Sequence, residues 1–562
     1  MPESIPPIGD DCLNNQMRLY FDIVLGQKKS QIFWIILPIA VCMLIMLPRL
    51  ISPQFGMLDD GNTLTTASHI VSGDLSLNYE AIRGRFRPMY WLVPALIYRL
   101  VGANPFWFFF ANLIFLILLL VFTTAFLRRL GVSTKNAALM GILFLLTGST
   151  IENIYTLSKG ELLMLLFIII ALYTSVQLNS VGTSKKTWIW RTLLATFLFF
   201  LAAINKETAL VILPITGAWL IIEVIVAQLQ HRSSRWQWLG SLFISSLIGF
   251  AIYWLVRNSL VDTSLQGGTY TSGYTFSLDV MKASLIRWAG WLIRNDLYLL
   301  PLILFWIIGS LANKKFLKMD NVVLILIWVM GWITIYLPWR FAQEYYLLPF
   351  DLGIAIFTVL LFNLGWRSLR ESSKTVRFVA GATLAIAAIL WLASLSNYWT
   401  DARIQMAVDS ANQQMLDKME QLPEGASVLL NIQYPNEYTV ELDLLLRQVG
   451  GRTDLTLETF NPLKQQTADY FLTPYVLNRP LLTVRMGVSE MELTSWVSSL
   501  QNYLGDTAQP IMQVEQSLPL AMIDLPRLFC PLIPTLNFCA TSRPLIDTRT
   551  FVYGWMLYPA EP

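Results

Sequence analysis

The chain of 562 residues is 55% hydrophobic and only 14% charged, with a mean hydropathy of +0.53, whereas a soluble globular chain carries about 25% charged residues. Its net charge of +3 hides a division at Asn397: residues 1–397 hold 30 Lys and Arg against 19 Asp and Glu, and 398–562 hold 10 against 18. A basic apolar part followed by an acidic polar part excludes an ordinary soluble domain, and it gives no basic soluble face of the kind nucleic acid requires.

In chain order, a polar cytoplasmic segment, 1–30, precedes the first apolar run. Runs long enough to cross about 30 Å of hydrocarbon as helix fall near 31–48, 106–127, 137–150, 161–178, 188–204, 208–227, 238–256, 297–312, 321–338, 345–364 and 377–396. They predict about eleven transmembrane helices within a membrane domain at 31–397. No small-residue cleavage site follows the first run, so it reads as a retained helix. Lys and Arg recur in alternate connections, at Arg128, Arg129 and Lys135, at Lys185 and Lys186, at Arg232 and Arg235, at Lys314, Lys315 and Lys318, and from Arg367 to Arg377. Cationic loops stay in the cytoplasm, which places the N-terminus inside and the tail, 398–562, outside. In that tail 401–421 and 437–449 have helical periodicity, Ala426–Ile432 is a short apolar run, and Leu482–Val488, 490–504 and Phe551–Leu557 continue the alternation. This predicts a small extracytoplasmic α/β domain.

The connections on the outer side are unexpectedly charged. The first, 49–105, carries Arg49, Arg83, Arg85, Arg87 and Arg99 together with Asp59 and Asp60. Shorter ones carry Glu152, Lys159 and Glu161, then Lys206 and Glu207, then Arg340 and Glu344 beside Tyr345. Any one of these has an ordinary explanation in snorkelling or a structural ion pair. Together, at the ends of apolar helices, they predict one water-filled cavity opening outward.

The first outer connection reads Met57-Leu58-Asp59-Asp60-Gly61, then Arg85-Phe86-Arg87-Pro88-Met89-Tyr90, then Tyr98-Arg99-Leu100-Val101-Gly102-Ala103-Asn104-Pro105. Asn205-Lys206-Glu207 precedes an apolar helix with Pro214, and Arg340 precedes Glu344-Tyr345-Tyr346-Leu347-Leu348-Pro349. In this order the motifs resemble the C-type integral membrane glycosyltransferases that use polyprenyl-phosphate sugars, in the branch related to protein O-mannosyltransferases. The resemblance spans about 31–364. It departs from that branch in having Asp-Asp where Asp-Glu is usual and in its acidic tail.

The resemblance implies an α-helical polytopic enzyme that moves a hexosyl- or pentosyl-type sugar from a lipid-linked donor to an acceptor hydroxyl on a lipid, glycan or protein. Such chemistry needs a general base, for which Asp59 or Asp60 is suited. It also needs cations beside the leaving phosphate, for which Lys206 and Arg340, then Arg87 and Arg85, are suited. Glu152, Lys159, Glu161, Glu207, Glu344 and Tyr345 would line the substrate cavity. The carboxylate pair at 59 and 60 could alternatively hold a divalent cation through oxygen, although no obligatory cofactor is expected. His69 and His231 lack Cys or Glu at ligand spacing, so no zinc site is expected. The tail lacks a Gly-rich phosphate loop and a nucleophile triad, which suits acceptor recognition or a structural cap. Two other classes fit a many-helix scaffold. A polysaccharide polymerase or ligase would carry its largest outer loop late in the chain, and a secondary transporter would show two homologous halves.

Cys12 and Cys42 are expected as free thiols. Cys530 and Cys539 lie nine positions apart in the tail, separated by Pro531 and Pro534, a spacing that lets a turning chain close a disulfide. The alternative is that both thiols simply pack in the core.

Overall fold

The computed structural model describes residues 10–56, 59–157, 159–176, 184–229, 236–261, 274–313, 320–340, 343–369, 372–431, 435–461, 466–475, 509–531, 545–548 and 550–559. The first half contains α1 (Asp10–Ile51), α2 (Asp60–Ser72), α3 (Pro88–Val101), α4 (Pro105–Arg129), α5 (Thr134–Leu145), α6 (Gly148–Tyr155), α7 (Glu161–Val176), α8 (Lys185–Asn205), α9 (Ile212–Leu229) and α10 (Trp236–Leu260). Then follow α11 (Leu278–Asp296), α12 (Leu299–Asn313), α13 (Asp320–Tyr336), α14 (Leu348–Leu369), α15 (Lys374–Met419) and α16 (Pro435–Gln448).

Helix starts are written locally. Asn104 accepts from the Phe106 amide at 3.1 Å with Pro105 as the first helical residue of α4, and Ser133 and Ser184 accept from Asn136 and Thr187, each at 3.2 Å. Each cap satisfies a donor that the first turn leaves without a partner.

Among the described residues seven helices are long and apolar enough to cross a membrane, or nine if two bent pairs each count as one span. The bent pairs are α5 with α6, turned by 65°, and α11 with the start of α12, turned by 70°. The first coincides with the expected run at 137–150; of the second, only α12 matches an expected run, 297–312, and α11 lies ahead of it. The runs at 161–178 and 321–338 correspond to shorter apolar helices, Glu161–Val176 and Val322–Tyr336. The chain is therefore a polytopic helical membrane protein. Helices pack through small and hydroxylated faces as well as through apolar side chains: on α10, Ser241 bonds Thr192 at 2.9 Å and Ser245 donates to the Thr192 carbonyl at 3.2 Å. One turn farther on, a Cβ added to Gly249 would lie 2.7 Å from the Thr196 carbonyl oxygen. Small residues at such spacing let two membrane helices approach closely.

The expected helices at 377–396 and 401–421 are one helix. α15 runs for 46 residues out of the apolar region into the polar part. From Asn397 to Met419 the sequence has neither Gly nor Pro to break it.

Beyond it lie β1 (Ser427–Leu430), β2 (Thr456–Thr459), β3 (Tyr470–Tyr475), β4 (Met512–Pro519), β5 (Met522–Ile523), β6 (Ile546–Asp547) and β7 (Thr550–Pro559). Five strands form a mixed sheet in the order β2-β1-β3-β7-β4, with β1 parallel to β2 and β3, and β7 antiparallel to β3 and β4. β5 and β6 make a separate antiparallel pair. The runs expected at 426–432, 437–449 and 551–557 appear as β1, α16 and part of β7; those at 482–488 and 490–504 lie outside the described residues. The sheet packs on the upper part of α15. Ala411, Met415, Leu416 and Met419 share one buried cluster with Val428, Leu430, Leu472, Trp555 and Leu557. That cluster also takes in Phe55, Leu64 and Phe108 from the membrane part. Asn412 accepts from the Trp555 indole at 2.8 Å and the Tyr553 hydroxyl at 3.1 Å, completing the seam.

Cys42 is a buried free thiol, and Cys530 is disulfide-bonded. Cys539 lies outside the described residues.

Candidate functional site

The connection after α1 supplies the acidic pair. Asp59 has φ 65° and ψ −13°, the one non-glycine residue with positive φ among the described residues. Its carbonyl accepts from the Thr63 amide and hydroxyl at 2.9 and 2.7 Å, and its side chain takes no part in capping α2. Asp tolerates the left-handed region better than most residues, at a cost of order 1–3 kcal/mol that surrounding structure must offset. The turn sends the two carboxylates in different directions. Asp59 is 49% exposed and stands 3.8 Å from the Lys159 ammonium, whereas Asp60 is 2% exposed and accepts from the Gly56 amide at 2.7 Å.

Around Lys159 the structure gathers cations and aromatic rings from four segments. Lys159 lies 4.1 Å from the centre of the Tyr345 ring. Lys206, where α8 ends, lies 5.4 Å from Tyr345 and 4.6 Å from Tyr346, and it is ion-paired with the buried Glu161 at the start of α7. Tyr345 and Tyr346 sit on the 3₁₀ turn Glu344–Leu347, their rings 4.2 Å apart. Asn153 of α6 fixes this turn by donating to the Tyr345 carbonyl at 2.9 Å. From the first connection, Arg85 reaches Glu207 at 3.8 Å and Glu80 at 3.7 Å. Arg87 forks onto both oxygens of Glu80 and lies 4.5 Å from the Tyr90 ring. Burial alone would raise the Glu80 carboxyl, but Arg87 and Arg85 hold it below the usual carboxylate range.

Glu344 turns toward a second polar cluster. It accepts from the Asn295 amide at 2.6 Å and lies 3.9 Å from Arg294, which also pairs with Asp401 of α15. Ser149 donates to Asp351 at 2.5 Å in the same region. Glu152 is half-buried on α6. Arg340 is exposed beyond α13, and its carbonyl accepts from Arg287 at 2.9 Å. Its guanidinium makes no ion pair among the described residues.

Sequence reasoning counts Arg49 among the outer cations but does not find its partner: it is 1% exposed and pairs with Asp409 of α15 at 2.5 Å. Arg294, Asn295, Asp351 and Asn153 are members that the sequence reading does not name. Asp351 did carry a signal: it is an ionisable residue inside an apolar run, which by itself marks a polar interior. The others lie at run boundaries, where composition says nothing about partners.

Among the described residues no three His, Cys, Asp or Glu side chains converge as a metal-binding group. Asp59 and Asp60 face different partners, Lys159 and the Gly56 amide.

No protein-family model matches the chain, and no curated protein matches it in sequence. Its backbone is similar to that of ArnT from Cupriavidus metallidurans bound to undecaprenyl phosphate, at 14% identity and a TM-score of 0.47, covering 94% of this chain and 98% of that one. It is also similar to the oligosaccharyltransferase AglB from Archaeoglobus fulgidus in complex with an inhibitory peptide and a dolichol-phosphate, at 11% identity and a TM-score of 0.46, covering 94% and 88%. A structure of the Archaeoglobus fulgidus oligosaccharyltransferase in complex with Zn and sulfate aligns at 13% identity and a TM-score of 0.41, covering 78% and 67%.

Proposed function

We propose that this protein is a membrane glycosyltransferase that moves a hexosyl- or pentosyl-type sugar from a polyprenyl-phosphate donor to an acceptor hydroxyl at the outer face. One observation carries the reading: a strained, half-exposed carboxylate, Asp59, stands 3.8 Å from Lys159 at the edge of a cluster of cations and tyrosines assembled from separate helix ends. A cluster of that composition matches a phosphate with an apolar tail. The acceptor beside it must lose a proton.

In this reading Asp59 takes the proton of the acceptor hydroxyl as the acceptor oxygen bonds the anomeric carbon. The bond from that carbon to the phosphate oxygen breaks, and the electron pair leaves with the phosphate. Lys159, Lys206 and Arg85 neutralise the charge that develops there, in surroundings where such contacts count for more than in water. Glu161 and Glu80 hold Lys206 and Arg87 in place before substrate arrives, so little reorganisation is needed at the moment of reaction. The membrane orientation that fits has the N-terminus in the cytoplasm, with the cavity and the α/β domain outside.

Asp59→Asn should lower sugar transfer at least about 10²-fold, with undecaprenyl phosphate still bound. Lys159→Ala should weaken binding of undecaprenyl phosphate by roughly 1.5–3 kcal/mol, the worth of one charge-assisted contact. Near-normal transfer by Asp59→Asn would remove the base. Unchanged affinity in Lys159→Ala would move the phosphate away from this cluster.

A further inference from the structure

The tail is not a separate module hung beyond the membrane part, because its charged residues are built into the turn that presents Asp59. Asp409, fully buried on α15, pairs through one oxygen with Arg49 at the end of α1, and its other oxygen accepts from Gln405 at 2.9 Å. The same Arg49 donates to the Tyr155 carbonyl at 2.7 Å and lies 4.3 Å from the Phe109 ring. Asp60 converges on this pair from α2: a Cβ built on Gly56 would lie 3.4 Å from an oxygen of Asp409 and 3.4 Å from an oxygen of Asp60. Glu441 of α16, 5% exposed, accepts from the Asn62 amide at 3.0 Å, in the first turn of α2. Gly61 leaves no room for a side chain against the Glu441 carbonyl, 2.7 Å from where its Cβ would be.

We propose that Asp60, Asp409, Arg49 and Glu441 form a positioning unit through which the C-terminal domain holds the turn at Asp59 in its reactive conformation. Asp60 is in this assignment a positioning residue and not the base. The inference rests on the reading of Asp59 given above, but it makes its own prediction about the turn.

Three physical facts support the assignment. Asp59 occupies a conformation that a chain does not hold without surrounding restraint, and beside the contacts from Thr63 and Lys159 the residues on either side of it, Gly56, Gly61 and Asn62, are packed or bonded against Asp409 of α15 and Glu441 of α16. Asp60 is 2% exposed: one oxygen takes the Gly56 amide and the other is buried with no hydrogen-bond partner among the described residues. Burial also pushes its carboxyl up to about 8, with Asp409 and Glu441 adding to the rise and the Gly56 amide and Arg49 opposing it. A neutral Asp60 avoids repulsion with Asp409 and Glu441, while Arg49 pairs with Asp409.

The test is amide hydrogen exchange across 60–66 in the full-length protein in lipid nanodiscs, read together with undecaprenyl phosphate binding and sugar transfer. Asp409→Ala should speed exchange in this segment about tenfold or more, as expected when a local helix start loses its restraint. Binding of undecaprenyl phosphate should change less than about threefold, because its cations lie elsewhere in the site. Since Asp409→Ala strands Arg49 in the interior, Glu441→Ala serves as the second variant, and it should speed exchange without that burden. Asp60→Asn keeps the shape and the Gly56 acceptor, so it should leave exchange within about threefold and cost transfer at least about tenfold less than Asp59→Asn. Unchanged exchange in both Asp409→Ala and Glu441→Ala overturns the positioning unit, as does an Asp60→Asn enzyme as inactive as Asp59→Asn. Should Asp59→Asn retain transfer, the base assignment fails while the exchange result still decides the positioning claim.

Discussion

Asp59 and Asp60 are adjacent in sequence, and either is chemically fit to be a base. What separates them is a single left-handed residue, whose turn leaves Asp59 half-exposed beside Lys159 and buries Asp60 against the tail. Periodicity and composition carry no trace of such a turn, so the pair was legible as charge in the first outer connection and the different surroundings of its two members were not. The gathering of Lys159, Glu161, Lys206 and Glu207 was legible because charge at helix ends in an apolar chain is costly unless it is gathered. Arg49 was legible only as a cation out of place, since its partner is 360 positions away. The raised Asp60 carboxyl has a consequence for stability. Its ordinary value is 3.8 and burial moves it to about 8, so the folded state binds the proton more tightly than the unfolded state does. That contribution is fully present below about pH 4 and fades as pH rises through about 8. The thermal midpoint of the purified protein should therefore fall across this window, and Asp60→Asn should flatten that part of the profile. A slope that is the same in Asp60→Asn would assign it to other groups.

The helical elements were the most readable part, because about 20 apolar residues in sequence leave a chain few choices in lipid. Every expected run corresponds to a helix or a bent pair. The bends at 65° and 70° were not readable, since neither break contains proline: they fall at Leu146–Thr147 and Leu297–Tyr298. They bring α6 and the end of α11 to the site, where Asn153, Asn295 and Arg294 act on the 3₁₀ turn at Glu344. The close approach of α8 and α10 was equally hidden, because Ser241, Ser245 and Gly249 lie within the apolar run 238–256, whose composition does not show which helix faces them. Gly249→Ile should place methyl groups against the Thr196 carbonyl and the Phe199 side chain. The expected cost is about 1–3 kcal/mol from overpacking, measured as a lower thermal midpoint in detergent. A variant as stable as the parent would show that α10 shifts freely.

At the scale of the whole molecule, the split into a basic apolar part and an acidic polar part was plain in the charge count, and it gave the α/β tail its place after the last span. It misled in suggesting a joint near Asn397. There the chain keeps its helix, and Asn397 and Thr400 bond the carbonyls of Ile523 and Ala521 at 3.0 and 3.2 Å. At 1.5 Å per residue, the 46 residues of α15 extend about 69 Å. About 30 Å of that length matches the apolar stretch 377–396, and Asp409 lies about 20 Å beyond its end. α15 is thus a ruler standing in the bilayer, with the Asp59 turn clamped to a fixed mark on it. A thicker or thinner membrane displaces the lower part of the rod relative to its neighbours, and mismatch costs fractions of a kcal/mol per Å. Sugar transfer in vesicles of graded acyl length should therefore peak near a hydrocarbon thickness of about 30 Å and decline on either side. Four glycines inserted after Leu395 should broaden that peak by uncoupling the mark from the membrane, and a profile that stays as sharp would show that the height of the site is set elsewhere.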